Sequence, residues 1–190
     1  MTSPEINIDP TIAGSVVGTY WFLMMIGRLC GASIGAKVSS RAMLTVVSTV
    51  GIVLVLGAIF CADNILVNMP VFKSDISFGF AQVPVNVMLL ILCGLCTSVM
   101  WGGIFNLAVE GLGKYTAAAS GLFMVMVCGG GILPLIQGGV ADFAGFLNSY
   151  WVIALGLAYI LFYAAIGSKN VNTDIPVSYT HLRAHETRGN

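Results

Sequence analysis

Charged residues are scarce in this sequence of 190 residues, where lysine, arginine, aspartate and glutamate together make up 8%. A soluble domain carries about 25% charged residues, so a water-exposed globular surface is excluded. The formal net charge is zero, which favours neither a nucleic-acid partner nor an acidic substrate. What is present is apolar: 57% of the residues are hydrophobic and the mean hydropathy is +0.93. We therefore expect an all-α protein that crosses the lipid bilayer several times.

Groups that do chemistry inside a membrane are also missing. The two histidines, His181 and His185, both lie in VSYTHLRAHET, residues 177–187, which is identified as a translated sequencing adaptor. We therefore expect residues 177–190 to be non-native and give the histidines no metal-binding or proton-relay role. No carboxylate lies near the centre of a predicted span, so no proton-coupling residue is assigned. Without a buried nucleophile and base or a metal-ligand set, we expect no enzyme, no metal site and no cofactor.

Five apolar runs are long enough to cross a bilayer, which takes about 20 residues. The predicted spans are residues 11–36, 42–61, 84–110, 115–141 and 147–168. Basic residues concentrate in the first and third connections and after the last span. The positive-inside rule therefore predicts that residues 1–10 are periplasmic and residues 170–176 cytoplasmic, in a bacterial inner membrane. A polar outer start and an odd number of spans predict that the N-terminal half of the same protein is missing and is a partner of this chain.

Small residues recur at every fourth position in three spans, a spacing that lets helices approach closely in a bilayer. We expect these three helices to pack against protein, and the second and fifth spans to face lipid. The small residues are Gly27, Gly31 and Gly35 in the first span, Gly94, Ser98 and Gly102 in the third, and Gly130, Pro134 and Gly138 in the fourth.

Three motifs carry a family resemblance. They are Gly27-Arg28-x-x-Gly31, the run MWGGIFNLAVEGLGKYTAAASG at residues 100–121, and CGGGILPLIQGGVAD at residues 128–142. Together they resemble the C-terminal half of a sugar transporter of the major facilitator superfamily, nearest to the fucose permease group. The resemblance covers residues 11–169 and corresponds to helices eight to twelve of a twelve-helix fold. It departs from the family in GAKVSSR, residues 35–41, which lacks the usual aspartate of the loop signature.

The resemblance implies transport by alternating access, in which two helical bundles rock about a central site. The implied substrate is a monosaccharide such as fucose, glucose or galactose, with proton coupling through acids of the N-terminal half. A glycine-proline helix at the moving interface can pack closely and bend, although a static kinked packing helix is an alternative. A multidrug or other-solute exporter of the same superfamily and a non-transporting membrane scaffold or channel subunit also stay open.

Depth in the membrane selects the candidate substrate contacts. Trp101 stands near the middle of the third span, one turn beyond Ser98, and Tyr20 and Trp21 stand near the middle of the first. An indole ring can stack on the C–H face of a sugar, and a phenol hydroxyl can hydrogen-bond its rim. Gln137 lies outward of the centre of its span, where its amide can bond a passing hydroxyl or the opposing bundle. For the two tryptophans, packing against lipid is the alternative.

A second group of residues is assigned to gating or structure. Glu110 and Lys114 are four residues apart at a helix end, a spacing that suits either a solvated ion pair or a gate latch. Arg28 lies inside a span, where a cation must extend to the interface or find a partner. The group also contains Asn106, Gly130, Gly131 and Pro134.

Overall fold

The computed structural model describes residues 10–35, 37–61, 65–72 and 77–169. In this described part of the chain, five helical segments are long and apolar enough to cross a membrane. The predicted all-α membrane fold with five spans is thereby confirmed. Of the predicted tails, at residues 1–10 and 170–190, all but Pro10 lie outside the described residues. The five segments are Ile12–Gly35, Ser40–Phe60, Val85–Val109, Gly113–Ala144 and Tyr150–Gly167.

The first three spans are each one helix, α1 (Pro10–Gly35), α2 (Ser40–Phe60) and α3 (Val85–Val109). Local sequence sets their ends. The hydroxyl of Ser39 accepts a hydrogen bond from the backbone N–H of Ala42 at 3.3 Å and so caps the start of α2. After α3, Gly111 takes a left-handed conformation with φ of 77°, which turns the chain back towards the bilayer.

The fourth span is two helices, α4 (Thr116–Met126) and α5 (Gly129–Ala144), after a short 3₁₀ turn at Gly113–Tyr115. They meet at Val127 and Cys128. Around this break, backbone amides bond to carbonyls three residues back, as in the bond from Gly130 to Val127 at 2.8 Å. Three consecutive glycines and Pro134 explain the break, because glycine weakens a helix interior and proline lacks an N–H. The last span is α6 (Tyr150–Phe162), continued by a π-helical turn at Tyr163–Gly167.

The second connection contains a β-hairpin that the sequence analysis did not predict. Strand β1 (Leu66–Phe72) pairs antiparallel with β2 (Phe78–Pro84), in a register that sets Leu66 opposite Pro84 and Phe72 opposite Phe78. The hydroxyl of Thr19 in α1 accepts a hydrogen bond from the backbone N–H of Phe72 at 2.8 Å and ties the hairpin to α1. The inner face of the hairpin joins α1 and α3 in one buried cluster: Val16, Met69, Val71, Val83, Val87 and Ile91.

The two ends of the bundle differ in charge and structure. We call the end that carries β1 and β2 the hairpin end. We call the opposite end the basic end, because its connections carry Lys37, Arg41, Lys114 and Lys169. At the basic end, Arg41 donates a hydrogen bond to the backbone carbonyl of Ser168 at 2.8 Å, which joins the start of α2 to the end of the last span.

Helix α3 is the centre of the bundle and packs against α1 on one side and α2 on the other. Gly27 and Gly31 of α1 face α3 so closely that added Cβ atoms would overlap Ser98 and Val99. Gly27 and Ser98, one small residue from each of the first and third spans, therefore meet, whereas nothing in the described chain lies within 4 Å of a Cβ placed at Gly102. Likewise, within the described chain nothing lies within 4 Å of a Cβ placed at Gly130 or at the other glycines of α5.

The second span is more buried within this chain than the sequence analysis expected. Leu44 and Val55 of α2 and Leu157 of α6 belong to a buried cluster with α3. The opposite faces of α2 and α6 are open, since Val53 and Leu155 are exposed. The described residues of α4 and α5 contain no buried side chain. The second and fifth spans therefore each have one buried and one exposed face, and the lipid-facing expectation stays a prediction for the exposed faces.

Candidate functional site

A cavity of about 320 Å³ lies between α1, α2, α3, α5 and α6, on the hairpin side of the bundle. Most of its wall is apolar, and none of the described residues that line it is charged. Small-molecule pockets have volumes of about 300 to 1,000 Å³ and apolar walls with a few placed polar groups, so this cavity has the form of a ligand site. Its polar side chains are Tyr20, Thr97, Gln137 and Tyr150.

Tyr20 and Thr97 form the polar centre of the cavity. Their hydroxyl oxygens are 3.4 Å apart, and either hydroxyl can donate. Thr97 is the central residue of α3 and also donates to the carbonyl of Gly94 at 3.2 Å. Gly94 makes room for the tyrosine, because a Cβ there would lie 2.9 Å from the Tyr20 ring. The contact between α1 and α3 therefore holds two hydroxyl groups at the middle of the membrane-spanning segment.

Gln137 reaches the same cavity from α5 and is half-buried. Within the described residues its amide makes no hydrogen bond to another protein group. A side-chain amide offers two N–H donors and a carbonyl acceptor, so it can bind a ligand hydroxyl in either sense. The structure thus brings together two of the predicted contacts, Tyr20 and Gln137.

Two of the polar lining residues, Thr97 and Tyr150, were missed by the sequence analysis. Thr97 carried a usable signal, because it is a hydroxyl residue at the centre of an apolar span. Tyr150 stands at the start of α6, where an aromatic residue is typical of the membrane interface. Only the packing of α6 against α2 turns this tyrosine towards the cavity.

The two predicted tryptophans lie outside this cavity. Trp101 follows Thr97 by one helical turn, and its ring centroid is 5.2 Å from that of Phe123 in α4. It is 47% exposed. Trp21 is 61% exposed and meets Tyr20 edge-on, with ring centroids 5.9 Å apart. Both indole rings therefore lie on the outer surface of the described chain.

Ser98 is buried at the contact between α1 and α3. Its hydroxyl donates to the carbonyl of Leu95 at 2.6 Å and lies against Gly27. It lines a groove at the basic end and does not line the cavity. The structure therefore separates Ser98 from Tyr20 and Gln137.

The helical spacing assumed for Glu110 and Lys114 is wrong, because α3 ends at Val109. Glu110 has extended backbone angles, and Lys114 belongs to the separate 3₁₀ turn that precedes α4. The ammonium group of Lys114 lies 5.1 Å from the centroid of the Tyr115 ring. Asn106 donates to the hydroxyl of Ser40 at 3.5 Å and so connects α3 with the start of α2.

Gly130, Gly131 and Pro134 lie beside the break between α4 and α5 and are exposed. Irregular backbone at membrane depth occurs only where protein covers it or where it lines a water-filled cavity. Within the described residues, nothing lies within 4 Å of a Cβ placed at Gly130 or Gly131, so the described part of the chain does not cover the break there. Within the described residues, no group of three histidine, cysteine or acidic side chains is placed to hold a metal ion.

Known proteins with similar sequences are sugar transporters. The chain is 30% identical over 169 residues to a glucose/galactose transporter of Brucella abortus, a match that covers 85% of this chain and 36% of that protein. A putative glucose/galactose transporter of Helicobacter pylori is also 30% identical over 169 residues, which is 86% of this chain and 37% of the relative.

A third relative is the L-fucose-proton symporter of Escherichia coli, 33% identical over 92 residues, 48% of this chain and 21% of the symporter. No family model matches the chain, and no solved structure matches it at a significant level. The chain spans little more than a third of the length of the glucose/galactose transporters. The similar proteins reported above are thus sugar transporters, which agrees with the resemblance that the three motifs carry.

Proposed function

We propose that this chain forms part of a bacterial inner-membrane transporter that carries a neutral monosaccharide by alternating access. The observation that carries the proposal is the cavity lined by the hydroxyl groups of Tyr20 and Thr97 and by the amide of Gln137, which has no hydrogen bond to another described residue, in a chain similar to glucose/galactose transporters. In the proposal, the hairpin end faces the periplasm and the basic end faces the cytoplasm. Further helices, equivalent to the rest of the relatives' length, complete the transport path.

The lining of the cavity suits an uncharged polyol. No carboxylate, lysine or arginine lines it, so a charged solute would lose its hydration without gaining a counter-ion. Sugar hydroxyls donate and accept hydrogen bonds, as do the side chains of Tyr20, Thr97 and Gln137. The apolar wall, which includes Val16, Ile91 and Ile153, can cover the C–H face of a sugar ring.

Proton coupling in this proposal depends on groups outside this cavity. A coupling group must titrate and face each side of the membrane in turn. The relative in Escherichia coli is described as a proton symporter. We propose that carboxylates of the complementary helices supply this function, while this chain supplies the sugar contacts.

Uptake into proteoliposomes tests the proposal. The full-length protein that contains this sequence, reconstituted and given radiolabelled glucose, galactose or fucose, should accumulate at least one sugar, and the same unlabelled sugar should compete. The chain of residues 1–190 alone, reconstituted in the same way, should show no uptake. Extrusion of a lipophilic cation without uptake of any of the three sugars would favour the exporter alternative and contradict the proposal.

A further inference from the structure

We propose that a groove between α1 and α2 at the basic end binds one anionic phospholipid, with an acyl chain in its apolar part and the phosphate beside Arg28. The proposal is independent of sugar transport. It rests on two adjoining spaces of opposite character and on a cation whose contact within the described residues is weak.

The first space is apolar. Helices α1 and α2 each pack against α3 and leave between them a groove of about 380 Å³. Side chains of Cys30, Ile34, Val46 and Leu95 line it, and no charged residue does. Val46 is 61% exposed, so the groove is open along its length. A hydrocarbon chain fits such a groove without leaving a polar group unpaired.

The second space is polar and adjoins the first. It measures about 340 Å³, and Arg28, Ser40 and Asn106 line it. Gly31, Met43 and Val99 border both spaces, so a lipid at their common edge can place its headgroup in one space and an acyl chain in the other. Lys37 and Arg41 flank this region in the sequence, and the described residues that line the polar space include no carboxylate. The charge of the site is therefore complementary to an anion.

Arg28 is the residue that would bind such an anion. Within the described residues its guanidinium has one hydrogen-bond contact, to the sulfur of Met24 at 4.0 Å. A thioether is a weak acceptor, whereas a phosphate accepts paired, charge-assisted bonds from a guanidinium. Arg28 stands two helical turns before Gly35, about 10 Å along the helix axis, so its extended side chain can meet a headgroup.

The combination favours a lipid over a free anion. A soluble phosphate would occupy the polar space and leave the adjoining apolar groove empty. An anionic phospholipid fills both, and basic pockets between membrane helices on the cytoplasmic side are typical sites for such headgroups. A zwitterionic lipid could fill the apolar groove but brings no net charge to Arg28.

Native mass spectrometry of the purified full-length protein that contains this sequence, in detergent, tests the proposal. Titration with phosphatidylglycerol and phosphatidylcholine of the same acyl chains should give one retained phosphatidylglycerol and weaker binding of phosphatidylcholine. Arg28→Gln should weaken phosphatidylglycerol binding about fivefold, since one basic residue contributes roughly that factor near a membrane surface. Arg28→Lys, which keeps the charge, should restore most of the binding.

Two further variants separate the parts of the groove. Val46→Trp, placed in the open apolar part, should weaken the binding of both lipids. Lys169→Gln, which removes a cation at the same end but outside the groove, should leave phosphatidylglycerol binding unchanged. Each variant is compared at equal helix content by circular dichroism.

Three outcomes would overturn the proposal. Equal retention of the two lipids would remove the role of charge. An equal loss in Arg28→Gln and Lys169→Gln would mean that the general surface charge, and not this groove, attracts the lipid. Displacement of phosphatidylglycerol by an equal concentration of glycerol 3-phosphate would mean that the site recognises a free phosphate ester.

Discussion

The contact between α1 and α3 should fail when Gly27 is replaced by alanine. A Cβ at this position would overlap the Ser98 hydroxyl and would lie 3.0 Å from the carbonyl oxygen of Leu95. The hydroxyl can rotate, but the carbonyl belongs to the backbone of α3 and cannot yield unless the helices separate. Overpacking of this kind costs about 1 to 3 kcal/mol of folding free energy.

A matched alanine variant isolates this cost. Gly14 lies in the same helix and has nothing within 4 Å of an added Cβ, so Gly14→Ala changes helix propensity alone, a gain of about 1 kcal/mol. Gly27→Ala gains the same helix propensity but loses the close packing of α1 against α3. The free energy of unfolding of Gly27→Ala should therefore be about 1 to 3 kcal/mol below that of Gly14→Ala.

The assay is unfolding of the purified chain from detergent micelles by sodium dodecyl sulfate, followed by circular dichroism. Gly31→Ala provides a second site, because its Cβ would overlap the side chain of Val99. Combining Val99→Ala with Gly31→Ala should restore part of the lost stability, since the two positions touch and the effects of the two changes should not add. Equal stability of Gly27→Ala and Gly14→Ala would refute the reasoning that α1 and α3 meet through these glycines.

Two further predictions concern the hairpin and the orientation. Thr19→Val removes the acceptor of the Phe72 N–H and should lower the free energy of unfolding by about 1 to 3 kcal/mol. Hydrogen exchange of the Phe72 amide should also become faster. Unchanged exchange would show that another group holds the hairpin. Thr49→Val is the control, because that hydroxyl bonds the carbonyl of Thr45 in its own helix. A fluorescent-protein fusion after Lys169 should be bright and an alkaline phosphatase fusion inactive, whereas the reverse would contradict a cytoplasmic basic end.

The spans were predictable because apolar length is a property of local sequence. The hairpin was not, because Pro70 and Pro84 discourage the prediction of a strand. In a two-stranded sheet both strands are edges, so Pro70 can stand opposite Phe80 without breaking a ladder on a second side. The alternation that buries Met69 and Val71 is short, and it becomes meaningful only when α1 and α3 supply the surface beneath it.

The candidate site was likewise predictable from the sequence only in part. Depth along a span is readable from sequence, and it predicts a position for Tyr20 near the middle of the first span. Rotation about the helix axis is not readable from depth, and neighbouring residues differ by about 100°. Thr97 therefore faces the cavity while Ser98 faces Gly27 in α1. The glycines and the proline of CGGGILPLIQGG made a helix break after α4 predictable from the sequence. The exposure of this break was not predictable, because it depends on where the other helices pack.

Sugar affinity of the full-length protein, measured by isothermal titration calorimetry, tests the central claim most directly. Gln137→Leu and Tyr20→Phe should each weaken binding of the transported sugar about fivefold to tenfold, the effect of one lost hydrogen bond of about 1 kcal/mol or slightly more. Trp151→Ala, at the start of α6 and packed on Phe60, should leave affinity unchanged. If both cavity variants bound sugar like the unmodified protein while Trp101→Ala lost affinity strongly, the sugar site would lie on the Trp101 face of α3 and not in this cavity.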